Sequence, residues 1–194
     1  MHFIVEPAKV NTLLPKIMRT AVRLFVQKGI DGTTTKDIAV KSGVSEGALY
    51  RHFKSKEELA YHLFAVHVND FTLGLASRVA QAKEFKLKLH AYITTCFDAF
   101  EKERDLFTYL IVSEHRELAR FPSTFKHPGH VALDLVATGQ KAGIFREMDP
   151  TIGASILVGS IIRLCIARIH KSLERDLRHE ADNVTESLWG ALSK

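Results

Sequence analysis

A short stretch at positions 33–56, TTTKDIAVKSGVSEGALYRHFKSK, constrains the fold of this chain more than any other segment. Thr34 can cap a helix, and Asp37 three residues later completes an aspartate version of the capping box. Gly43 interrupts the helical pattern, and Ser45 supplies the N-cap of a second helix. Two short helices joined by a tight glycine-containing turn predict a helix-turn-helix.

Further helices flank this motif on both sides. Apolar residues recur at helical spacing from residue 12 until Gly29, which is suited to end a helix. After the motif, Ser55 and Glu58 have the spacing of a full capping box. Residues 1–11 show no periodicity, and we expect them to form an N-terminal arm. The pattern therefore predicts helices over residues 12–28, 35–41 and 46–53, and a fourth helix that begins after Ser55.

The residues from Thr33 to Leu59 follow the pattern T-T-x-x-D-I-A-x-x-x-G-V-S-x-G-x-L-Y-x-H-F-x-S-K-E-x-L. This pattern resembles the DNA-binding segment of TetR-family transcriptional regulators. Many identities fall at fixed offsets, whereas a single short motif recurs by chance. The resemblance implies an all-α homodimer with an N-terminal three-helix domain that binds double-stranded DNA. It also implies a C-terminal helical domain that binds a small-molecule effector and dimerises.

By this resemblance, the second motif helix is the recognition helix, which enters the major groove. Leu49 and Phe53 are four residues apart, and we expect both to face the core. Residues on the opposite face and at the helix starts are expected to contact phosphates or base edges. The predicted DNA-binding residues are Thr35, Ser45, Glu46, Gly47, Tyr50, Arg51, His52 and Lys56.

Glu46 departs from the family pattern, in which a neutral or basic residue is common at this position. A carboxylate beside phosphates is unfavourable unless it accepts a hydrogen bond from cytosine N4. Alternatively, Glu46 is a first-turn charge that interacts favourably with the helix dipole. The sequence leaves both roles open.

The charge distribution agrees with a DNA-binding N-terminus. Residues 1–60 contain ten Lys and Arg against six Asp and Glu, whereas residues 61–194 contain seventeen against sixteen. The basic excess accompanies the motif, as binding to phosphates requires.

Cys96 and Cys165 lie in apolar helical patterns, which indicates buried thiols in a reducing cytoplasm. We expect neither a signal peptide nor a membrane span, because the longest apolar run, Ile152 to Ile162, is too short to cross a bilayer.

The rest of the sequence keeps the helical period and shows no alternating strand pattern. The helix after Ser55 has two apolar stripes, which indicates burial on more than one side. No linker rich in Pro, Gly or Ser follows it. We therefore predict an all-α chain of two domains that share this helix, with residues 1–58 for DNA binding and residues 59–194 for effector binding and dimerisation.

Two helices near the C-terminus are candidates for dimerisation. Asp149 and Pro150 provide an N-cap and an N1 proline for a long helix rich in small residues, which let another helix approach closely. A last helix is predicted over residues 177–192. Pairing with the symmetry mates predicts an isologous four-helix interface. The predicted interface residues are Ile152, Ser155, Ile156, Gly159, Ile162, Val184 and Leu188.

Aromatic and polar side chains from several helices of the second domain could enclose an effector. An apolar cavity with a few polar anchors suits a small hydrophobic or amphipathic molecule. The same side chains could instead fill a solid core. The candidate pocket residues are His67, Phe71, Tyr92, Phe97, Phe100, Phe107, Tyr109, Ser113, Arg163 and Cys165.

Catalysis and metal binding have little support. The histidines lack the spacing of a zinc site, and no nucleophile has the arrangement that would activate it. We expect no catalytic residue, no cofactor and no metal.

The sequence predicts a cytoplasmic DNA-binding transcriptional regulator, with repression released by a hydrophobic or amphipathic effector. A helical intracellular enzyme and a dimeric scaffold without DNA binding are the alternatives.

Overall fold

A computed structural model describes residues 13–194, so the predicted arm at residues 1–11 lies outside the described residues. Within residues 13–194 the regular elements are helical, and the one β-type pairing is an isolated antiparallel bridge between Phe145 and Ser193. The predicted all-α class is confirmed. The helices are α1 (Leu13–Lys28), α2 (Thr35–Ser42), α3 (Glu46–Tyr50), α4 (Lys56–Gln81), α5 (Phe85–Lys102), α6 (Arg104–Leu118), α7 (Pro128–Lys141), α8 (Pro150–Ile169) and α9 (Ala181–Leu192), with a 3-10 turn at Leu177–Glu180.

Capping side chains set the ends of the motif helices. The Thr34 side chain accepts a hydrogen bond from the Asp37 N–H, and the Asp37 side chain accepts one from the Thr34 N–H. The hydrogen bond from the Thr34 backbone helps to hold the pKa of Asp37 below its usual value. Gly43 ends α2 with a φ of 68°, a conformation that a residue without Cβ adopts readily. The Ser45 side chain then caps α3 by accepting from the Ala48 N–H.

The recognition helix is shorter than the sequence predicted. α3 ends at Tyr50 rather than at Phe53. The N–H groups of His52 and Phe53 both donate to the Leu49 carbonyl oxygen, at 3.0 Å each, so the backbone tightens into a turn after the helix. Leu49 and Phe53 are nevertheless buried, as their spacing predicted.

The chain forms two compact units, one ending at Leu63 and one running from Phe64 to Lys194. The division falls within α4, as does the predicted boundary after residue 58. α4 runs without interruption across the division. In the N-terminal unit, α1, α2 and α3 enclose an apolar core that includes Leu24 and Ile38.

The C-terminal unit is built around α5, which packs against α6, α7, α8 and α9. Its apolar core includes Phe97, Phe100 and Cys165, all fully buried. The end of α7 lies close to the segment that follows it because Gly139 has no side chain. A Cβ at this position would overlap the ring of Phe145.

α8 corrects one expectation from the sequence. The apolar run over residues 152–162 belongs to a helix of 20 residues, which is long and apolar enough, by length and composition alone, to cross a bilayer. Only 28% of its apolar stretch is buried inside the protomer. Helices that other protein chains cover have the same composition, so we assign no membrane span. α8 therefore carries an apolar face that its own protomer leaves uncovered.

Candidate DNA-binding surface and effector cavity

The side of α3 opposite the core forms an exposed surface. Glu46, Gly47 and Tyr50 lie on it, and Arg51 and His52 follow in the turn after the helix. The Tyr50 side chain is 50% exposed, which is more than is usual for a residue with a large aromatic ring. An exposed phenol next to a guanidinium can contact phosphates and base edges. We term this set, together with the adjoining Thr35, the reading surface.

Thr35 connects α2 to α3 within the reading surface. Its hydroxyl donates to Glu46 Oε2 at 3.3 Å. The same hydroxyl oxygen lies 3.2 Å from the phenolic oxygen of Tyr50. The first residue of α2 thus holds side chains from both ends of α3 before any DNA is bound.

Two other predicted DNA contacts have structural roles in the N-terminal unit. The Ser45 hydroxyl accepts from the Ala48 N–H at 3.1 Å and thereby caps the recognition helix. Lys56 Nζ donates to the carbonyl oxygens of Asp31 and Thr33, at 2.9 Å each. These bonds anchor the loop between α1 and α2. A contact of Lys56 with DNA stays a prediction, and an ammonium group has a third hydrogen to donate.

An apolar cavity of about 80 Å³ lies within the C-terminal unit. Its wall is formed by α4, α5, α6 and α8 and by the start of α7, and two of its rings, Phe71 and Phe107, meet edge to face with centroids 5.6 Å apart. A second, more open hollow of about 290 Å³ shares Leu118 and His127 with this cavity. The lining residues are Phe64, Val68, Phe71, Tyr92, Cys96, Phe107, Leu110, Ile111, Glu114, Leu118, His127, Pro128, Gly129, Val158, Ile161 and Ile162.

Only part of the predicted pocket lines this cavity. Phe71, Tyr92 and Phe107 do so. Four others are buried and fill the space between helices instead, namely Phe97, Phe100, Tyr109 and Cys165. The remaining three lie elsewhere: Ser113 is buried beside Tyr109, Arg163 is exposed, and His67 is half-buried on α4. The predicted pocket residues are thus divided between the cavity wall, the core and other positions of the C-terminal unit.

Tyr92 and Glu114 place polar groups on an otherwise apolar wall. The Tyr92 O–H donates to the carbonyl oxygen of Pro128 at 3.0 Å. Burial, followed by the nearby Cys96 and Glu114, raises the pKa of Tyr92 well above its usual value. Burial also raises the pKa of the Glu114 carboxyl. The wall thus combines a neutral phenol with a partly buried carboxyl group.

His127 adds a neutral imidazole to the wall. Burial, followed by the neighbouring His130 and Lys126, lowers the pKa of His127. Its Nδ1 accepts a hydrogen bond from the Gly129 N–H at 3.3 Å, which places the ring hydrogen on Nε2. Within residues 13–194, no three His, Cys, Asp or Glu side chains are grouped so that they could hold a metal ion.

Glu114 was not among the predicted pocket residues, although its position carried a signal. Phe107, Ile111 and Leu118 form one apolar stripe of α6 at helical spacing, and Glu114 lies on that same stripe. A carboxylate at such a position is uncommon unless it is paired. Sequence spacing places Glu114 on this face, but only the packed helices show that the face borders a cavity.

The dimer interface on α8 stays a prediction, whereas on α9 one of its predicted residues is buried within the protomer. The α8 residues lie exposed or partly exposed on the uncovered face: Ile152, Ser155, Ile156, Gly159 and Ile162. Leu188, in contrast, is 6% exposed and packs in the core of its own protomer. α9 lies against α5, which accounts for this burial. Val184 is partly buried against the same core.

The N-terminal unit matches a known family. Residues 17–63 fit the model described as bacterial regulatory proteins, tetR family, and they contain the capped α2, the glycine turn and α3. This N-terminal unit belongs to the TetR family. The resemblance inferred from the motif is thereby confirmed.

Relatives extend the match beyond the helix-turn-helix. The HTH-type transcriptional regulator YvkB of Bacillus subtilis strain 168 is 28% identical over 163 residues, which cover 80% of this chain and 82% of YvkB. The transcriptional repressor KstR2 of Rhodococcus jostii RHA1 is 26% identical over 140 residues, which cover 68% of this chain and 67% of KstR2. The crystal structure of Bacillus subtilis FadR in complex with stearoyl-CoA has a TM-score of 0.73 at 20% identity and covers 90% of this chain and 97% of FadR.

These comparisons fix the general function of this TetR-family protein. It is a DNA-binding transcriptional regulator, as the motif predicted. YvkB and KstR2 are regulators rather than enzymes, so the enzyme alternative is set aside. The likeness to FadR shows only the fold and no shared function, because the two sequences are 20% identical.

Proposed function

We propose that this TetR-family protein is a homodimeric cytoplasmic repressor, which a small hydrophobic or amphipathic effector releases from operator DNA. The observation that carries the proposal lies in α4. This helix begins at Lys56, directly after the reading surface, and its residues Phe64, Val68 and Phe71 line the cavity. The relatives support the same reading, since KstR2 is named a repressor and FadR was crystallised with an acyl-CoA.

The size of the cavity indicates how an effector acts. Sites for small molecules commonly enclose about 300–1,000 Å³, whereas this cavity measures about 80 Å³. An effector must therefore displace side chains of the wall, including those on α4. A ligand shifts a conformational equilibrium only through its difference in affinity for the two states. The effector therefore favours an expanded conformer over the one described.

DNA release follows from the geometry that an operator demands. Two recognition helices of a dimer must enter major grooves about 34–36 Å apart. Arg51, His52 and Lys56 position the protein through phosphates, whereas Tyr50 can contact a phosphate or a base edge. A movement of α4 that alters the spacing between the two reading surfaces lowers the affinity for the operator.

The dimer forms through the uncovered face of α8. A two-fold axis brings the same face of the partner's helix against it. Ser155 and Gly159 let the two backbones approach closely, and Ile152, Ile156 and Ile162 supply apolar area. Removing this apolar area from water favours association of the two helices.

Transcription in vitro tests the repressor role. The template carries the region upstream of the gene for this protein, and bacterial RNA polymerase transcribes it with and without the protein. Wild type should lower the transcript level at the concentrations that give a DNA complex in a gel. Tyr50→Ala, which alters only an exposed side chain, is the matched control and should repress poorly. A transcript level that rises with wild type, or that falls equally with both proteins, contradicts repression.

A further inference from the structure

Two buried carboxylates of the C-terminal unit, Glu101 and Glu117, are paired with arginine, whereas the partly buried Glu114 is not. Glu101 accepts from Arg168 at 3.1 Å, and Glu117 accepts from Arg120 at 2.6 Å. Glu114 is partly buried, and this burial raises the pKa of its carboxyl group. Among the residues that the structure describes, no side chain donates a hydrogen bond to the Glu114 carboxylate or forms an ion pair with it.

The wall around Glu114 offers it no cation from the protein. The lining residues, all within positions 64–162, include neither lysine nor arginine. The Tyr92 O–H already donates to the carbonyl oxygen of Pro128. Partial burial removes some of the water that solvates the Glu114 carboxylate, which costs free energy in the empty protein. A ligand that supplies the missing donor removes this cost.

We propose that the effector is a lipophilic amine, whose positively charged nitrogen pairs with Glu114 and whose apolar body fills the cavity. The proposal rests on the effector-controlled function above and names the ligand of that same cavity. Aromatic rings strengthen the assignment, because a cation is attracted to the face of a ring within about 6 Å. Tyr92, Phe71 and Phe107 supply three rings on the wall that also carries Glu114.

The same wall discriminates between head groups. An anionic head group would meet Glu114 with no lysine or arginine on the wall to neutralise the two charges. An alcohol can donate a hydrogen bond to Glu114 but brings no charge. An ammonium group does both, and it also stabilises the ionised carboxyl that burial disfavours. The expected ligand thus differs from the acyl-CoA seen with FadR.

Three probes with one chain length test the head group. Octylamine, octan-1-ol and octanoate are titrated into the full-length dimer by calorimetry at pH 7 and below their micellar concentrations. Octylamine should bind at least about tenfold more tightly than octan-1-ol, since a hydrogen bond to a charged group contributes more than a neutral one. Octanoate should bind most weakly of the three.

Substitutions at Glu114 test its role. Glu114→Gln keeps the shape and removes the charge, so it should weaken octylamine binding about tenfold and leave octan-1-ol binding within about twofold. Glu114→Asp keeps the charge and should retain part of the preference. Glu103→Gln is the matched control, because this exposed carboxylate precedes the same helix and does not line the cavity. Circular dichroism of each variant establishes that it is folded.

Three outcomes would overturn the assignment: octanoate or octan-1-ol binding as tightly as octylamine, an amine preference that survives in Glu114→Gln, and no binding by any probe. A gel shift separates this failure from that of the proposed function. If octanoate or stearoyl-CoA dissociates the DNA complex and octylamine does not, effector control stands and the amine assignment is wrong. If neither octylamine, octanoate nor stearoyl-CoA dissociates it, both are wrong.

Discussion

The hydroxyl oxygen of Thr35 lies 3.2 Å from the phenolic oxygen of Tyr50, so the first residue of α2 touches the last residue of α3. Thr35 also donates to Glu46 at the other end of α3. These contacts order exposed side chains that would otherwise lose rotamer freedom on binding DNA. The reading surface is therefore partly organised in the free protein.

Tyr50 is the first residue to test in DNA binding. Tyr50→Phe removes a hydroxyl that can donate to a phosphate, and it should weaken operator binding about three- to tenfold. Tyr50→Ala also removes the ring and should weaken binding further. Because the side chain is 50% exposed, neither change should alter the melting temperature appreciably. Fluorescence anisotropy with labelled DNA measures the affinities, and unchanged affinity in both variants would show that the assigned face does not contact DNA.

Glu46→Gln distinguishes the two roles left open for this residue. Its carboxylate already accepts from Thr35 within the protomer, so we expect it to act as a local charge rather than as a reader of cytosine. Removing it should raise the affinity for operator and for unrelated DNA alike, by about fivefold, since two unit charges at about 4 Å in water interact by about 1 kcal/mol. A loss of affinity confined to operators with cytosine at one position would instead assign base reading to Glu46.

Lys56 should contribute to the stability of the N-terminal unit. Its ammonium group holds two backbone carbonyl oxygens, so Lys56→Ala should lower the free energy of unfolding by about 1–3 kcal/mol. Lys54→Ala is the matched control, because that side chain is exposed and its loss should change stability by less than about 0.5 kcal/mol. Urea denaturation compares the two. Equal stability of both variants would mean that the Lys56 hydrogen bonds do not matter for folding.

Gly139 tests the packing of the C-terminal unit. Gly139→Ala forces a methyl group into the ring of Phe145, which should destabilise the protein by about 1–3 kcal/mol. Gly190→Ala on α9 is the matched control, because Gly190 is exposed and an added Cβ there meets nothing within 4 Å outside its own helix backbone. Thermal unfolding of the two variants side by side gives the comparison. A tolerated Gly139→Ala would show that Phe145 can move away without loss.

A substitution at Gly159 tests the proposed dimer interface. Gly159→Arg places a charge on the proposed contact between two α8 helices, so the variant should sediment as a folded monomer. Val112→Arg is the control, because Val112 is 75% exposed on α6, away from this face, and the variant should remain dimeric. Analytical ultracentrifugation distinguishes these states. A dimeric Gly159→Arg protein would place the interface elsewhere.

Local signals made the helix-turn-helix predictable from sequence. Thr34, Asp37, Gly43 and Ser45 act through hydrogen bonds within a few residues, and all four have the predicted roles. The end of α3 was misplaced because a backbone turn, rather than a residue type, stops the helix after Tyr50. Boundaries of this kind leave no sequence signature.

The cavity could be predicted only in part, because it depends on how several helices pack. Phe97 and Phe107 both lie on apolar stripes of neighbouring helices, yet Phe97 fills the core and Phe107 faces the cavity. Leu188 lies on an apolar stripe of α9, and such a stripe is equally suited to a core or to an interface. In the protomer, α9 packs against α5 and Leu188 is part of the core. Glu114 was the one sequence signal for the cavity, since a charged residue on an apolar helix stripe is uncommon unless it is paired.

As a DNA-binding transcriptional regulator, this protein should recognise a specific DNA sequence. The most direct measurement is fluorescence anisotropy with DNA from the region upstream of its gene and with a scrambled fragment of equal length, at several salt concentrations. We predict binding that weakens as salt rises and an affinity for the upstream fragment at least about 10³-fold above that for the scrambled one. Equal affinity for both fragments, or no binding at any salt concentration, would contradict the account and favour a scaffold without DNA binding.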